Sequence, residues 1–380
     1  LAAFIAVASG GHPRAPLHVV RWFAPAPQMG RMRWPVPALA SVGELAAFLE
    51  LSDGELAWLA DTRGLERTAS DERLRNYAYG TLPRGARPVR VIERPKRRLK
   101  ALQRRVLHEI LDWVPAHDSA HGFTRGRSAI SNAAAHTGAR VVVRMDLEDF
   151  FASIQARRVY GIFRASGYPE AVAHALTGLT TNVVPVATWA SLPVPRVLPE
   201  IAAHRMLGRR LATAHLPQGA PTSPALANLA AFGLDRRLHG LALAVGATYT
   251  RYADDLAFSG GGLLLARAGE LRARIASIAR EEGFTVNERK SALMTRAGRQ
   301  RVCGIVVNEH PNVARTEYDR LRAILHNCAV RGPAGENRAG VGDFRAHLRG
   351  RVSWVEAVNP PRGAKLRARL ERIDWGDGPG

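Results

Sequence analysis

A chain of 380 residues has room for two or three structural units of ordinary size. Its 46% hydrophobic content supplies a packed core and excludes a disordered polycation, while a net charge of +21 predicts a polyanionic partner, nucleic acid before any other. A cysteine count of 2 excludes a disulfide framework and a four-cysteine zinc site, which fits a reducing, cytoplasmic setting.

Arginine carries nearly all of the positive charge, because lysine is confined to Lys96, Lys100, Lys290 and Lys365. GC-rich coding would also produce such a composition, yet each guanidinium remains a cation. No apolar run approaches the roughly 18–20 residues of a membrane span. Leu1–Gly10 also lacks the basic flank of a signal peptide, so no membrane partner is expected.

Residues 1–44 are rich in Pro, Gly and aromatics (Trp22, Phe23, Trp34) and show no period. They read as an extension draped over the body or as a loose arm. Leu45, Phe48 and Leu49 share one helical face, and Ser52-Asp53-Gly54-Glu55 marks a second helix start before Leu56 and Leu59. Residues 87–92 alternate like a strand. The basic stretch Arg94–Lys100 then leads into a helix that buries Leu102, Val106, Ile110 and Leu111. Val141–Met145 is a short apolar strand with Asp146 at its end. In the loop Leu216–Pro224, Ser223 fits a helix N-cap and Pro224 a first helical position, with Leu226, Leu229, Gly233 and Leu238 inside. Steps of four and three place Leu264, Ala268, Leu271, Ile275 and Ile278 on one helix closed by Gly283. Residues 302–307 read as a strand, a helix opens at Thr316, and 344–375 is helical and basic. With no internal repeat, the sum is an α+β chain.

Tyr252-Ala253-Asp254-Asp255 lies between two β-prone segments, so a hairpin would bring two carboxylates together at its tip. Alone, Asp-Asp is equally an ordinary polar turn. Asp146 also ends an apolar strand, and matching carboxylates on adjacent strands make an oxygen-rich site suited to Mg²⁺ and to two-metal phosphoryl transfer. Glu148 and Asp149 are expected to point away from that site. Gln218-Gly219 either faces a nucleotide or simply precedes a core helix.

In this order the motifs resemble those of reverse transcriptases, more narrowly the bacterial retron type. Asp146–Ile154 resembles the first palm motif, Leu216–Asn228 the Pro-Gln-Gly plus Pro-Thr-Ser-Pro motif, Tyr252–Asp255 the Tyr-x-Asp-Asp box, and Gly283–Ser291 the motif after the palm helix. Asn132-Ala133-Ala134-Ala135-His136 and Val302-Cys303-Gly304 resemble retron elements, the latter with Cys303 where Thr is usual. Asn132 and His136 are equally a pair hydrogen-bonding locally. Residues 180–215 match nothing.

The resemblance implies a right-hand polymerase with fingers at 45–140, a palm with an antiparallel sheet packed on helices at 141–300, and the palm end and helical thumb at 301–380. It implies catalytic Asp146, Asp254 and Asp255, which with the Leu147 carbonyl would hold two Mg²⁺ ions, Mn²⁺ being a substitute. Arg90, Asp149, Phe150, Phe151, Gln218 and Lys290 would meet the incoming dNTP, with Phe151 excluding a 2′-hydroxyl. Lys96, Arg97, Lys100, Arg127, Gly304, Arg351, Trp354, Lys365 and Arg369 would contact nucleic acid, although such a charge run is also an ordinary solvated face. The implied activity is RNA-templated DNA synthesis on a structured RNA. It would make a small RNA-linked single-stranded DNA within an anti-phage defence unit that includes an effector protein. The alternatives are a diversity-generating, abortive-infection or intron-derived enzyme, an RNA-copying polymerase, or a non-catalytic RNA scaffold. No maturase or endonuclease segment follows Trp375, which speaks against the intron type.

Overall fold

The computed structural model describes residues 27–84 and 87–375. The expected extension lies outside the described residues up to position 26. From there to residue 40 the chain has no regular structure but packs on the body. Gly30 N–H donates to the Gly167 carbonyl at 2.7 Å, and Val36 and Leu39 are buried. Helix α1 (Val42–Leu49) is capped by Ser41, and α2 (Asp53–Leu59) by a reciprocal capping box between Ser52 and Glu55, as the Ser-x-x-Glu spacing predicts.

An antiparallel hairpin, β1 (Tyr77–Arg84) and β2 (Arg87–Pro95), carries Arg90 and Glu93, and α3 (Arg97–Glu109) follows with Leu99, Leu102 and Val106 buried. A short α4 (Ala129–Ala134) precedes β3 (Val141–Asp146). Four helices come next: α5 (Ala156–Ala165), α6 (Glu170–Thr180), α7 (Val186–Ala190) and α8 (Leu198–Leu211). The last two occupy the segment that matched no motif. Helices α9 (Ser223–Ala230) and α10 (Phe232–Ala244) lead to β4 (Thr248–Tyr252) and β5 (Asp255–Gly260). The chain continues through α11 (Ala268–Glu281), β6 (Ala292–Thr295), β7 (Arg301–Val302), β8 (Ile305–Val306), α12 (Arg315–Arg331), α13 (Phe344–Val358) and α14 (Pro360–Leu370). One-turn helices at Leu65–Thr68, Phe150–Ser153 and Gly262–Ala266 stay outside this numbering.

The central sheet has four antiparallel strands in the order β4-β5-β3-β6. Alternation along β3 serves two cores. Val141, Val143 and Met145 face the main core of α5, α6, α9, α10 and α11. Val142, with Ala257 of β5, faces a second core built from α4, the β7–β8 hairpin and the last three helices. Both faces of the sheet are thus covered, and its open end carries the acids. Among the described residues no helix is long and apolar enough to cross a membrane.

Four expectations need correction. The strand expected at 302–307 is a tight hairpin, because Cys303 (φ 50°) and Gly304 (φ 81°) both turn left-handed and reverse the chain. The basic end is two helices, broken where Asn359 precedes Pro360 and caps α14 through Arg362 N–H. The stripe from Leu264 to Ile278 spans a one-turn helix and α11, parted at Arg267. Thr222, not Ser223, is the N-cap of α9. The Ser223 hydroxyl instead donates to the Pro217 carbonyl at 2.7 Å and ties the preceding loop.

His136 fastens α4 to the sheet. It is fully buried, with its ring nitrogens 2.7 Å from the Ser259 and Thr250 hydroxyls, so the local pairing with Asn132 is not what it makes. Burial holds its pKa down at about 4, against an ordinary 6.5. The unfolded chain therefore binds the proton first as pH falls, and the stability lent by the neutral ring is complete above pH 6.5 and lost toward pH 4. Relative to His136→Gln, the wild-type chain is expected to lose about 2 kcal/mol more between pH 7 and pH 5 in urea-unfolding free energy.

Candidate active site

The acids stand where β3 ends and the β4–β5 hairpin turns. Register pairs Asp146 with Asp255, and Tyr252 with Asp255, leaving Ala253-Asp254 as a two-residue turn. Ala253 is left-handed (φ 55°), a conformation that strains any residue with a Cβ. Arg251, fully buried, holds it there. Its Nη1 donates to the Ala253 carbonyl at 3.1 Å and to Asn228 Oδ1 at 3.0 Å. Its Nε and Nη2 donate to Asp235 at 2.8 and 2.6 Å, and the Tyr249 hydroxyl donates to the same carboxylate at 2.8 Å. Gly122 closes the other side, so near that a Cβ there would stand 2.6 Å from Ala253 N. Leu147 N–H donates to the Asp254 carbonyl at 2.9 Å, locking hairpin to strand.

Burial and the neighbouring Asp146 charge raise the Asp254 pKa, and burial with the Asp254 charge pushes Asp255 up to about 6. Lys290 answers part of this excess, with Nζ 2.6 and 2.7 Å from the two Asp146 oxygens. It rides on a 3-10 turn (Glu288–Lys290) that Asn287 N–H anchors to the Asp146 carbonyl at 2.7 Å. The donor set is all oxygen, and burial together with mutual repulsion disfavours its ionised form, so it fits a hard divalent cation. Among the described residues no three His, Cys, Asp or Glu side chains already form a cage. A cation bound there would take Asp146 over from Lys290.

Above the acids opens a cleft of about 480 Å³. Asp146, Asp254, Arg90, Phe150, Phe151, Gln218 and Lys290 all line it, so residues read as separate motifs share one space. Arg90 is close enough for its charge to favour ionised Asp254. The Phe150 ring, however, is buried against Phe284, 5.6 Å between centroids, so this residue offers the cleft its backbone. Phe151 keeps its ring at the wall, beside Phe123 at 6.2 Å. Glu148 and Asp149 border the cleft as well. Asp149 is left-handed (φ 46°), and its carboxylate meets Arg210 Nη1 at 2.9 Å, which offsets a charge that would repel phosphate.

Several neighbours escaped the sequence reading. Helix α8 forms a wall through Ala203, Met206 and Leu207, while its Arg210 reaches Asp149, the Glu148 carbonyl and Thr285. Glu200 pairs with Arg289 at the rim. Phe123 lies between Gly122 and Gly126, a loop signal that could have drawn notice. The expected nucleic-acid residues are not among those that line the cleft. Arg97 and Lys100 are exposed on α3, whereas Lys96 Nζ donates to the Glu72 carbonyl and Arg127 to the Asp118 carbonyl and His121. Gly304 tips the β7–β8 turn, Arg351 and Trp354 line a groove between α12 and α13, and Lys365 and Arg369 sit on α14.

A sheet end with these acids, beneath a cleft that also gathers Arg90, Gln218 and Lys290, matches a known class. The family model described as reverse transcriptase (RNA-dependent DNA polymerase) matches residues 83–319. The chain is 40% identical over 337 residues to the retron Mx65 reverse transcriptase of Myxococcus xanthus, an alignment spanning 89% of this chain and 73% of that one. It is 36% identical over 354 residues to the retron Mx162 reverse transcriptase of the same organism (88% and 67%). The retron Ec86 reverse transcriptase of Escherichia coli gives 31% over 287 residues (75% and 77%). The chain belongs to the reverse transcriptases and, within them, to the retron enzymes, and it is an RNA-directed DNA polymerase. Enzymes of this family use divalent metal ions.

Proposed function

We propose that the chain is a right-hand polymerase, with fingers at 45–140, palm at 141–300 and the palm end and helical thumb at 301–380, that copies a structured RNA into a small RNA-linked single-stranded DNA. The observation that carries this reading is the convergence of Asp146, Asp254, Arg90, Gln218 and Lys290 on one cleft. Asp146, Asp254, Asp255 and the Leu147 carbonyl are the oxygens that would hold two Mg²⁺ ions, with Mn²⁺ as substitute. Bound there, such ions would supply Lewis-acid activation of the primer hydroxyl and offset charge on the departing pyrophosphate. The guanidinium of Arg90 binds the triphosphate as a fork, and Gln218 faces the nucleotide. Lys290, which pairs with Asp146, would steady or protonate the leaving group once a cation takes that carboxylate.

On this reading the Phe151 ring, at the cleft wall, takes the room that a ribose 2′-hydroxyl would need. Phe151→Ala is expected to raise rNTP use relative to dNTP use by roughly tenfold or more, since excluding a hydroxyl by shape alone is worth that order. Single-nucleotide incorporation kinetics with paired dNTP and rNTP substrates measures it. Duplex contact falls to exposed Arg97 and Lys100 on one side and to Arg351, Trp354, Lys365 and Arg369 on the other, through salt-sensitive phosphate contacts. The deciding assay supplies primed RNA, dNTPs and Mg²⁺, and absence of extension would sink the reading. Expression with the upstream flank is expected to yield a small DNase-sensitive, RNase-resistant species. Its co-purification with a second protein would mark the defence effector.

A further inference from the structure

Behind the cleft, β2 and the loop that carries Gln218 are joined by charged side chains that water does not reach. Glu93, three residues after Arg90, is 1% exposed, and His215, three residues before Gln218, is 0% exposed. His215 Nε2 donates to Glu93 Oε1 at 3.0 Å and Nδ1 donates to the Thr213 carbonyl at 2.7 Å, so both ring nitrogens carry hydrogen. Burial opposes that charge, and the Glu93 carboxylate with these hydrogen bonds outweighs it and raises the pKa. The second Glu93 oxygen accepts from Asn182 Nδ2 at 2.7 Å, and Asn182 in turn exchanges both backbone hydrogen bonds with His215 at 2.9 and 3.0 Å.

Main-chain contacts continue the seam into the cleft. Glu93 N–H donates to the Gln218 carbonyl at 3.0 Å, and Gln218 N–H points back to Glu93 Oε1 at 3.4 Å. Gly219 (φ 135°) lies so near that a Cβ would stand 2.7 Å from the Glu93 carbonyl oxygen. An apolar pair could fill this space at similar or better stability, because a buried ion pair seldom outperforms good packing. What an apolar pair could not do is fix direction: each hydrogen bond here sets the spacing of two strands of chain that both face the nucleotide.

We propose that Glu93 and His215 are positioning residues that set Gln218 against Arg90 and thereby govern dNTP affinity. This rests on reading Arg90 and Gln218 as nucleotide contacts. The test is steady-state extension of primed RNA, with dNTP KM, kcat and template–primer Kd measured for four proteins: wild type, His215→Gln, His215→Leu and Glu93→Gln/His215→Leu. Loss of the donor is expected to raise dNTP KM by roughly tenfold, the scale of one weakened contact that binds ground and transition states alike. In the same proteins kcat should move far less and template–primer Kd should stay put. His215→Gln, whose amide still donates toward Glu93, is expected to bring KM back near the wild-type value. Should His215→Leu fail to fold with Glu93 left charged and alone, the double variant, which buries no unpaired charge, carries the test. A folded double variant with wild-type dNTP KM, or one in which kcat falls while KM and Kd rise with it, overturns the proposal. Wild-type enzyme that cannot extend primed RNA sinks the functional reading instead, so the two failures are separate.

Discussion

Asp254→Asn is expected to lower RNA-templated dNTP incorporation by about three orders of magnitude or more, the scale reached when one preorganised charge contact at a reacting centre is removed. The substitution keeps the shape of the side chain and the turn. Backbone restraints on that turn, from Leu147 N–H and Arg251 Nη1, do not involve the Asp254 carboxylate at all. What is lost is charge. Asp254 stands in a buried site where its own ionised form is disfavoured, first by desolvation and then by Asp146. Folding therefore bears a cost for this acid, and the amide removes that cost. The variant should unfold at the same urea midpoint as wild type or a higher one. High stability with lost extension marks an acid kept for chemistry. Extension within tenfold of wild type would show that Asp146 and Asp255 suffice and would remove Asp254 from the reaction.

The sheet that holds these acids was legible because its information is local. An apolar run ending in Asp146 and two β-prone segments around Tyr252–Asp255 predict strands from local composition, and Ser-x-x-Glu at Ser52 predicts the cap that forms. The shared cleft was legible only through motif order, since Lys290 meets Asp146 across 144 residues and nothing in either neighbourhood announces the other. Helix α8 stayed hidden for the same reason: Arg210 reads as one of many surface arginines until it is found on Asp149, 61 residues upstream. Pattern reading also places charged residues outside, whereas Glu93, Asp235 and Arg251 are inside. Each is buried because its partners arrive from distant segments. The positive excess itself is partly spent within the fold, as Arg98 on Glu55 and Arg105 on Glu50 show for the basic helix α3.

Arg251→Met is expected to destabilise the chain by about 3–5 kcal/mol, because Asp235 is left buried and ionised with its charge partner gone. Both side chains have no exposed surface, so water cannot replace what the guanidinium supplied. That loss alone would say only that the network belongs to the core. The informative variant removes the buried charges, Arg251→Met with Asp235→Leu and Tyr249→Phe, so that no buried charge or hydroxyl stays unpaired and only Asn228 Oδ1 and the Ala253 carbonyl lose a donor. Urea unfolding should then recover much of the lost stability. Extension activity should not recover with it. Ala253 is held left-handed, a strain of order 1–3 kcal/mol. The Arg251 bond to its carbonyl is one of the few restraints that oppose relaxation. Without that bond the turn can relax, and Asp254 moves with it. A misplacement near 1 Å is enough to reduce turnover by about a hundredfold. Recovery of stability and activity together in the apolar variant would show that the turn holds its shape by itself. Recovery of stability alone would show that the buried arginine is there to aim a carboxylate.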